Sequence, residues 1–445
     1  MESGNHRKTT TATVTSANMN LNIHSIKNNL FALTARALEG SKVIIASIIV
    51  ARVFSPDDFG RYSYIIGISS VIAVIAEFRL QSVMMKKILQ SPKNSGEIIG
   101  SAISANIAFS GIGILIASIY IQFESDKTII IGTLIYTASF FYKAPRAFRA
   151  YFISTENNLT IAKCEIVAAI ISLATTLVFI YLKLSLSWII FARSLDFLTS
   201  GILLTTAFKL EVKGKIKLST KFAEARSMTF LSAPLVFSGA AMILLQRMDL
   251  ILVRQILGEH AAGLYSSAAT AMSLFSIIPL VISETLAPAI FRNPTPSQTH
   301  RIQQNFSDTV VFTGIAMSAC MAAATPLFIK FLYGPSYIEA QHAMYILSAC
   351  PVLIALGAAS GQIIVADGNQ NQSFIKSIVA CIINLLLNIV LIPKMGINGA
   401  ATSTVIGLLI ANFLSHRLIP IYRYLFKIQI RSLLPIHRMR MTSRG

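Results

Sequence analysis

The sequence predicts an all-α integral membrane protein of about twelve transmembrane helices in two six-helix bundles, and three features predict it. Of its 445 residues, 54% are hydrophobic and only 13% are Asp, Glu, Lys or Arg, where a soluble domain carries about 25% charged residues. The apolar runs are about 18 to 25 residues long, enough to cross bilayer hydrocarbon at ~1.5 Å of helix rise per residue. The third feature is an internal repeat, with a Lys-rich connector between its two copies.

In chain order the expected spans are Phe31 to Val53, Tyr62 to Phe78, Ile98 to Ile121, Thr128 to Tyr151, Val167 to Leu182 and Trp188 to Phe208. After the connector come Phe230 to Leu257, Ala269 to Ile290, Val310 to Leu332, Ala343 to Val365, Ser377 to Ile392 and Ala400 to Ile421. The organisation is a polar tail (1–29), an N-terminal bundle (30–208), a basic linker (209–227), a C-terminal bundle (228–421) and a basic tail (422–445). The polar N-terminus has no apolar stretch of the kind a cleavable signal peptide needs.

The formal net charge of +19 does not point to nucleic acid, because the basic residues sit in short connectors and the tail rather than on one contiguous domain. One connector holds Arg79, Lys86, Lys87 and Lys93, another holds Lys209, Lys213, Lys215, Lys217, Lys221 and Arg226, and the tail holds Arg423, Lys427, Arg431, Arg438, Arg440 and Arg444. Alternate connectors carry little beyond Arg61, Lys127, Lys183 and Lys394. The positive-inside rule then puts both termini and the basic connectors in the cytoplasm. Cys164, Cys320, Cys350 and Cys381 have no paired spacing suited to a disulfide framework or a metal, and no cofactor motif is present.

The repeat stands out after the first span of each half: SPDDFGRY from Ser55 to Tyr62, and GEHAAGLY from Gly258 to Tyr265. In each, a basic residue (Arg52, Arg254) closes a helix, a glycine follows (Gly60, Gly263), and a tyrosine stands two residues later (Tyr62, Tyr265). A tight helical hairpin is the simple reading, with glycine permitting the turn and tyrosine anchoring the next helix at the headgroups. A parallel repeat of six-helix halves suits a V-shaped carrier with a central cavity.

The segments ARVFSPDDFGRYSY (Ala51 to Tyr64), RMDLILVRQILGEHAAGLYSSA (Arg247 to Ala268) and IPKMGINGAATST (Ile392 to Thr404) resemble the polysaccharide flippases, the Wzx-type O-antigen and exopolysaccharide exporters of the multidrug/oligosaccharidyl-lipid/polysaccharide superfamily. The resemblance runs from about Phe31 to Ile421. It implies a MATE-like inverted V, and movement of undecaprenyl-diphosphate-linked repeat units from the cytoplasmic to the periplasmic leaflet of a bacterial inner membrane. The partners it implies are the lipid-linked oligosaccharide, membrane lipids, a proton or sodium ion for coupling, and contact with a polysaccharide polymerase.

Charges within spans are informative because an ionised side chain at mid-bilayer costs at least ~2.5 to 3.5 kcal/mol without a partner or a wet cavity. Arg36, Glu39 and Lys42 recur every third residue on one face, either as a self-neutralising ladder or as a cavity stripe with one surplus positive charge. Lys143, Arg146 and Arg149 repeat the spacing with no acid among them. They are either a snorkelling anchor or a stripe that something anionic faces, and Pro145 beside them is a kink site. Arg247 and Asp249 lie two apart, on different faces, whereas Arg193 and Asp196 are spaced to pair with each other. Glu284, between Pro279 and Pro288, has no basic neighbour in its own helix. Asn384 and Asn388 share a face, as Gln362 and Asp367 do less perfectly, and such amides either bind sugar hydroxyls or join helix to helix.

The candidate substrate-binding residues are therefore Arg36, Lys42, Lys143, Arg146, Arg149 and Arg247, and the candidate ion-coupling residues are Glu39, Asp249 and Glu284. A cationic lumen suits a diphosphate, since guanidinium groups satisfy phosphate oxygens bidentately. The nearest alternative is a drug/cation antiporter of the same superfamily, which an acidic cavity would favour. A polymerase or glycosyltransferase would need a long loop or a catalytic domain that these short connectors do not supply.

Overall fold

The computed structural model describes residues 40, 42–291, 296–367 and 371–434, so Arg36 and Glu39 lie outside the described residues. Among the described residues every regular element is helical. Residues 42–53 form α1. It is followed by α2 (Pro56–Glu77), α3 (Leu80–Gln90), α4 (Ser95–Tyr120), α5 (Lys127–Ala138), α6 (Phe140–Lys143), α7 (Phe148–Ser154), α8 (Asn158–Tyr181) and α9 (Leu186–Val212). The second half holds α10 (Phe222–Phe291), α11 (Pro296–Leu327), α12 (Ala340–Leu347), α13 (Cys350–Ala366), α14 (Asn371–Met395), α15 (Ile397–Leu409), α16 (Ser415–Leu418) and α17 (Arg423–Leu433).

Among the described residues, nine helices are long and apolar enough to cross a membrane. One of the nine, Ile243–Pro288, is two helices joined across a break at Gly258, whose φ of 89° only glycine adopts without strain. The expected span Thr128 to Tyr151 is also interrupted. The chain passes from α5 through α6 into a tight turn over Ala144–Ala147 before α7 resumes, because Pro145 fixes its own φ and lacks a backbone donor.

Polar side chains start the helices at one end of the molecule. Ser55 Oγ accepts from the Asp58 amide, with Pro56 in the first turn of α2. Asp126 accepts from the amides of Thr128 and Ile129 at 2.7 and 3.3 Å, opening α5. Helix resumes directly at Pro56 and at Glu259, so Gly60 and Gly263 sit inside helices, and the expected turn role for them is not what the structure shows. A Cβ on Gly60 would fall 2.0 Å from the Glu259 carbonyl oxygen, and one on Gly263 would fall 1.9 Å from the Pro56 carbonyl oxygen. The two copies of the repeat press backbone to backbone, which requires residues without side chains. Tyr62 and Tyr265 are likewise buried, at 1% and 4% exposure, rather than at a headgroup surface.

The apolar packing shows how the halves meet. At the glycine end one core draws on both, from Val50, Phe59, Tyr62 and Ile65 to Val253, Ala262, Tyr265, Tyr333 and Tyr337. Away from it, one core is built mainly from the first half, Leu80 to Val212, and takes Met228 from α10, and another, with Ile290, Phe306, Val310, Ile363 and Leu425, belongs to the second half. The result is two helical bundles joined at the glycine end, with further contacts between α3 and α10 near the basic connectors, where Lys87 bonds Glu224 and Ser227.

Candidate functional site

Ion pairs reinforce the joined end. Arg254 of α10 donates two bonds of 2.8 Å to Glu124, in the connector before α5, and also bonds Glu259. Arg61 reaches Asp126 at 2.7 Å and Asp58 at 3.0 Å, and His260 Nδ1 lies 3.0 Å from Asp57. Burial raises the Glu124 carboxyl pKa, but the Arg254 hydrogen bonds and the amides of Asp126 and Ser125 outweigh it and carry the group below its ordinary value. Asp126 is lowered too, as the bond from Arg61 and the amides of Thr128 and Ile129 overcome its burial.

Deeper in the first half, α1, α8, α9 and the broken α5–α7 segment converge on a charged cluster. Lys42 Nζ donates to both Asp196 oxygens at 2.8 and 2.9 Å and to Glu165 at 3.4 Å. Glu165 also receives Arg146 at 3.2 Å and has Arg149 at 3.7 Å. Lys143 bonds Glu77 at 2.7 Å, with its ammonium 4.2 Å from the centre of the Phe197 ring. Protein carboxylates thus face the Lys143, Arg146 and Arg149 stripe. Glu165 escaped the sequence reading because the fifth span was expected to start at Val167; α8 begins at Asn158, which puts Glu165 two turns inside the helix.

By spacing alone, Arg193 is expected to pair with Asp196 along its own helix. Its expected partner Asp196 is bonded by Lys42 but still acts on Arg193 electrostatically, along with Tyr62 and Tyr136. Arg247 approaches from the other half, where Tyr136 and Arg193 act on it electrostatically. Neither guanidinium has a carboxylate within ion-pair distance among the described residues, and the buried Nε of each has no hydrogen-bond partner there. Arg247 is seven residues before Arg254, about 10 Å below the ion pairs of the joined end. The two arginines, one from each half and within electrostatic reach of each other, mark an apex about 10 Å from the joined end.

Asp249 points away from that apex into the second half, at 3% exposure. It accepts from Asn388 Nδ2 at 2.6 Å, from Tyr265 OH at 3.1 Å and from Thr404 Oγ1. Asn384 adjoins this set, with its Oδ1 3.0 Å from Asn388 Nδ2, and Asn388 Oδ1 is buried without a partner among the described residues. Glu284 lies elsewhere, lining a cavity with Ser283, Gly361 and Gln362.

Two helical bundles joined at one end, with nine helices among the described residues long and apolar enough to cross a membrane, define a multi-pass membrane protein. Within that class the chain belongs to the family described as polysaccharide biosynthesis protein, whose model matches residues 49–342. It is 22% identical over 403 residues to the capsular polysaccharide biosynthesis protein CapF of Staphylococcus aureus, covering 87% of this chain and 97% of that protein. Among solved structures it is similar to an inward-facing MATE family multidrug transporter, with a TM-score of 0.69 at 15% identity over 87% of this chain and 95% of the other. It is also similar to the lipid II flippase MurJ in an inward closed conformation, with a TM-score of 0.65 at 15% identity over 95% and 93%.

Proposed function

We propose that this protein is a flippase for a lipid-linked anionic oligosaccharide, carrying the headgroup of an undecaprenyl-diphosphate-linked repeat unit across the bacterial inner membrane by alternating access. The observation that carries this reading is that Arg193 and Arg247, guanidinium groups from opposite halves, act on each other electrostatically, each with a buried Nε that has no hydrogen-bond partner among the described residues, while Asp196, the carboxylate acting on Arg193, is bonded by Lys42. Like charges brought together in a poorly hydrated apex repel, and a diphosphate between them replaces repulsion with charge-assisted, bidentate hydrogen bonds. Lys42, Lys143, Arg146 and Arg149 add a positive wall, with their own carboxylates as partners when substrate is elsewhere. The family and CapF, both described by polysaccharide biosynthesis, support a glycan cargo. Acidic groups in the first-half cluster are engaged by lysine and arginine, which disfavours a drug/cation antiporter.

The basic connectors orient the molecule with the cleft toward the cytoplasm, the joined end toward the periplasm and both termini inside. Twelve traversals fit if Ile243–Pro288 counts as two, and if α1 and the broken α5–α7 segment count as one each. Outward movement of each negative charge then releases ~2.3 kcal/mol per 100 mV of inside-negative potential. Asp249 is the site we assign to ion coupling. A buried carboxylate with amide and hydroxyl oxygens around it, and an unpartnered Asn388 Oδ1 beside it, suits a proton or a sodium ion.

The test is the flipping rate of undecaprenyl-diphosphate-linked saccharide in reconstituted vesicles for Arg193→Ala and Arg247→Ala. Each loses one charged hydrogen-bonding partner worth about 1.5 to 3 kcal/mol, so a fall of at least tenfold is expected at equal protein level. Wild-type rates in both variants would remove the apex from the mechanism.

A further inference from the structure

The second half contains a cavity of about 450 Å³ between the later part of α10 and α13, distinct from both the arginine apex and the Asp249 cluster. Its lining mixes Leu280, Ile364 and Val365 with three polar side chains, Ser283, Glu284 and Gln362. The volume lies within the roughly 300 to 1,000 Å³ typical of small-molecule sites. We propose that this cavity is a saccharide subsite, which holds the hydroxyl-rich glycan while the apex arginines hold the phosphates; the proposal rests on the flippase reading above.

Helix periodicity orients the cavity toward the cleft. Ile277 makes the interbundle contact with Gly40, 3.4 Å from where a Cβ would stand there. Leu280 and Glu284 follow at three and seven residues, on the same helical face. That face carries the cavity, so Glu284 looks toward the first bundle. From α13, Ala358, Gly361, Gln362 and Val365 form a matching stripe. A Cβ at Gly361 would meet nothing within 4 Å, so the glycine leaves room in the cavity rather than allowing helix packing.

The donor and acceptor set selects the ligand. A carboxylate accepts from two hydroxyls, a primary amide both donates and accepts, and a serine hydroxyl does both; together they match vicinal sugar hydroxyls, each of which is donor and acceptor. Ser283 Oγ is buried and without a partner among the described residues. A lipid tail is disfavoured by three polar groups in the lining. A multivalent metal is disfavoured because Glu284 is the single acid in the lining.

Position adds a length criterion. Along α10, Arg247 lies 11 residues before the break at Gly258 and Glu284 lies 26 after it. The two sites are therefore about 20 Å apart in depth, measured from the joined end at ~1.5 Å per residue. One sugar ring cannot bridge that span from the diphosphate, so the subsite would be reached by a glycan of several sugars.

The experiment measures binding to the full-length protein in lipid nanodiscs. The probes are undecaprenyl diphosphate and the same lipid bearing a tetrasaccharide of N-acetylglucosamine. Wild type is expected to bind the tetrasaccharide lipid at least tenfold more tightly, the equivalent of about 1.4 kcal/mol. Glu284→Ala and Gln362→Ala should each lose most of that preference. So should Gly361→Leu, which fills the space without removing a polar group, while affinity for the bare lipid changes less than twofold. Equal binding of both probes by wild type would overturn the proposal, as would a preference that survives Gly361→Leu, or variants that weaken both probes alike. Failure of the flippase reading looks different: the bare diphosphate itself would bind weakly, and Arg193→Ala and Arg247→Ala would not change it.

Discussion

Replacing Gly60 with alanine should wedge the joined end apart. The added methyl would stand 2.0 Å from the Glu259 carbonyl oxygen and 2.9 Å from the Gly263 nitrogen. Ordinary contact begins at 3.4 Å, so the helices must part by about 1.4 Å, the difference between 3.4 and 2.0 Å. Both obstructing atoms are backbone and cannot rotate aside as a side chain would. Overpacking by one methyl costs ~1 to 3 kcal/mol. Because the contact exists only when the end is joined, the whole cost shifts the equilibrium between joined and parted forms, about 5- to 150-fold. Spin labels at Lys127→Cys and Ile338→Cys, exposed positions on either side of this end, report the separation once Cys164, Cys320, Cys350 and Cys381 have been replaced. Gly60→Ala and Gly263→Ala should add a longer-distance population. Gly67→Ala should not, because its Cβ would meet only the flexible end of Leu250, at 3.4 Å. Folded Gly60→Ala protein with the wild-type distance distribution would refute the reasoning.

Acid should loosen the same end. The joined form, through Arg254 of the other half, helps hold Glu124 below its ordinary carboxylate value, so that contribution is complete above the ordinary value and fades as pH falls through the lowered one; the same spin labels should report widening at low pH, and Glu124→Gln should show it already at neutral pH. Lys42→Met should lower thermal stability in detergent by about 3 to 5 kcal/mol, because it strands the buried Asp196 carboxylate, and adding Asp196→Asn should recover more than half of that loss. Asp249→Asn should abolish any dependence of flipping on a proton or sodium gradient, measured in vesicles with and without each gradient; an unchanged dependence would exclude Asp249 as the coupling site.

Composition, run length and the repeat made the two-bundle membrane fold legible in the sequence, because those signals are local and the bilayer enforces them. The repeat also marked where the bundles join, although its glycines and tyrosines do different work from what the spacing suggested. A glycine in a connector reads equally as a turn or as a surface for close approach, and only the opposite bundle decides between them. Spacing along one helix shows which side chains share a face but not which neighbouring helix that face meets. Arg193 and Asp196 are spaced to pair, yet Lys42 from α1 takes the aspartate. The Lys143, Arg146 and Arg149 stripe similarly has no acid in its own segment and finds Glu165 on α8 and Glu77 on α2.

Arg247 and Asp249 show how the proposed ion and substrate sites can influence each other without a long pathway. They are two residues apart on α10, about 3 Å of rise, and face opposite ways: Arg247 toward Arg193 across the cleft, Asp249 toward Asn388 of α14 and Thr404 of α15. A helix is stiff over so short a distance. Any shift of α10 that tightens the oxygen atoms around a cation at Asp249 must therefore move Arg247 relative to Arg193 by a similar amount. Two guanidiniums in a medium of low effective dielectric interact strongly enough that a small change in their separation alters the affinity for a bridging diphosphate. By linkage, whatever factor the cation applies to diphosphate affinity, the diphosphate must apply to the cation. One short stretch of α10 is then sufficient to tie the ion gradient to the state of the apex.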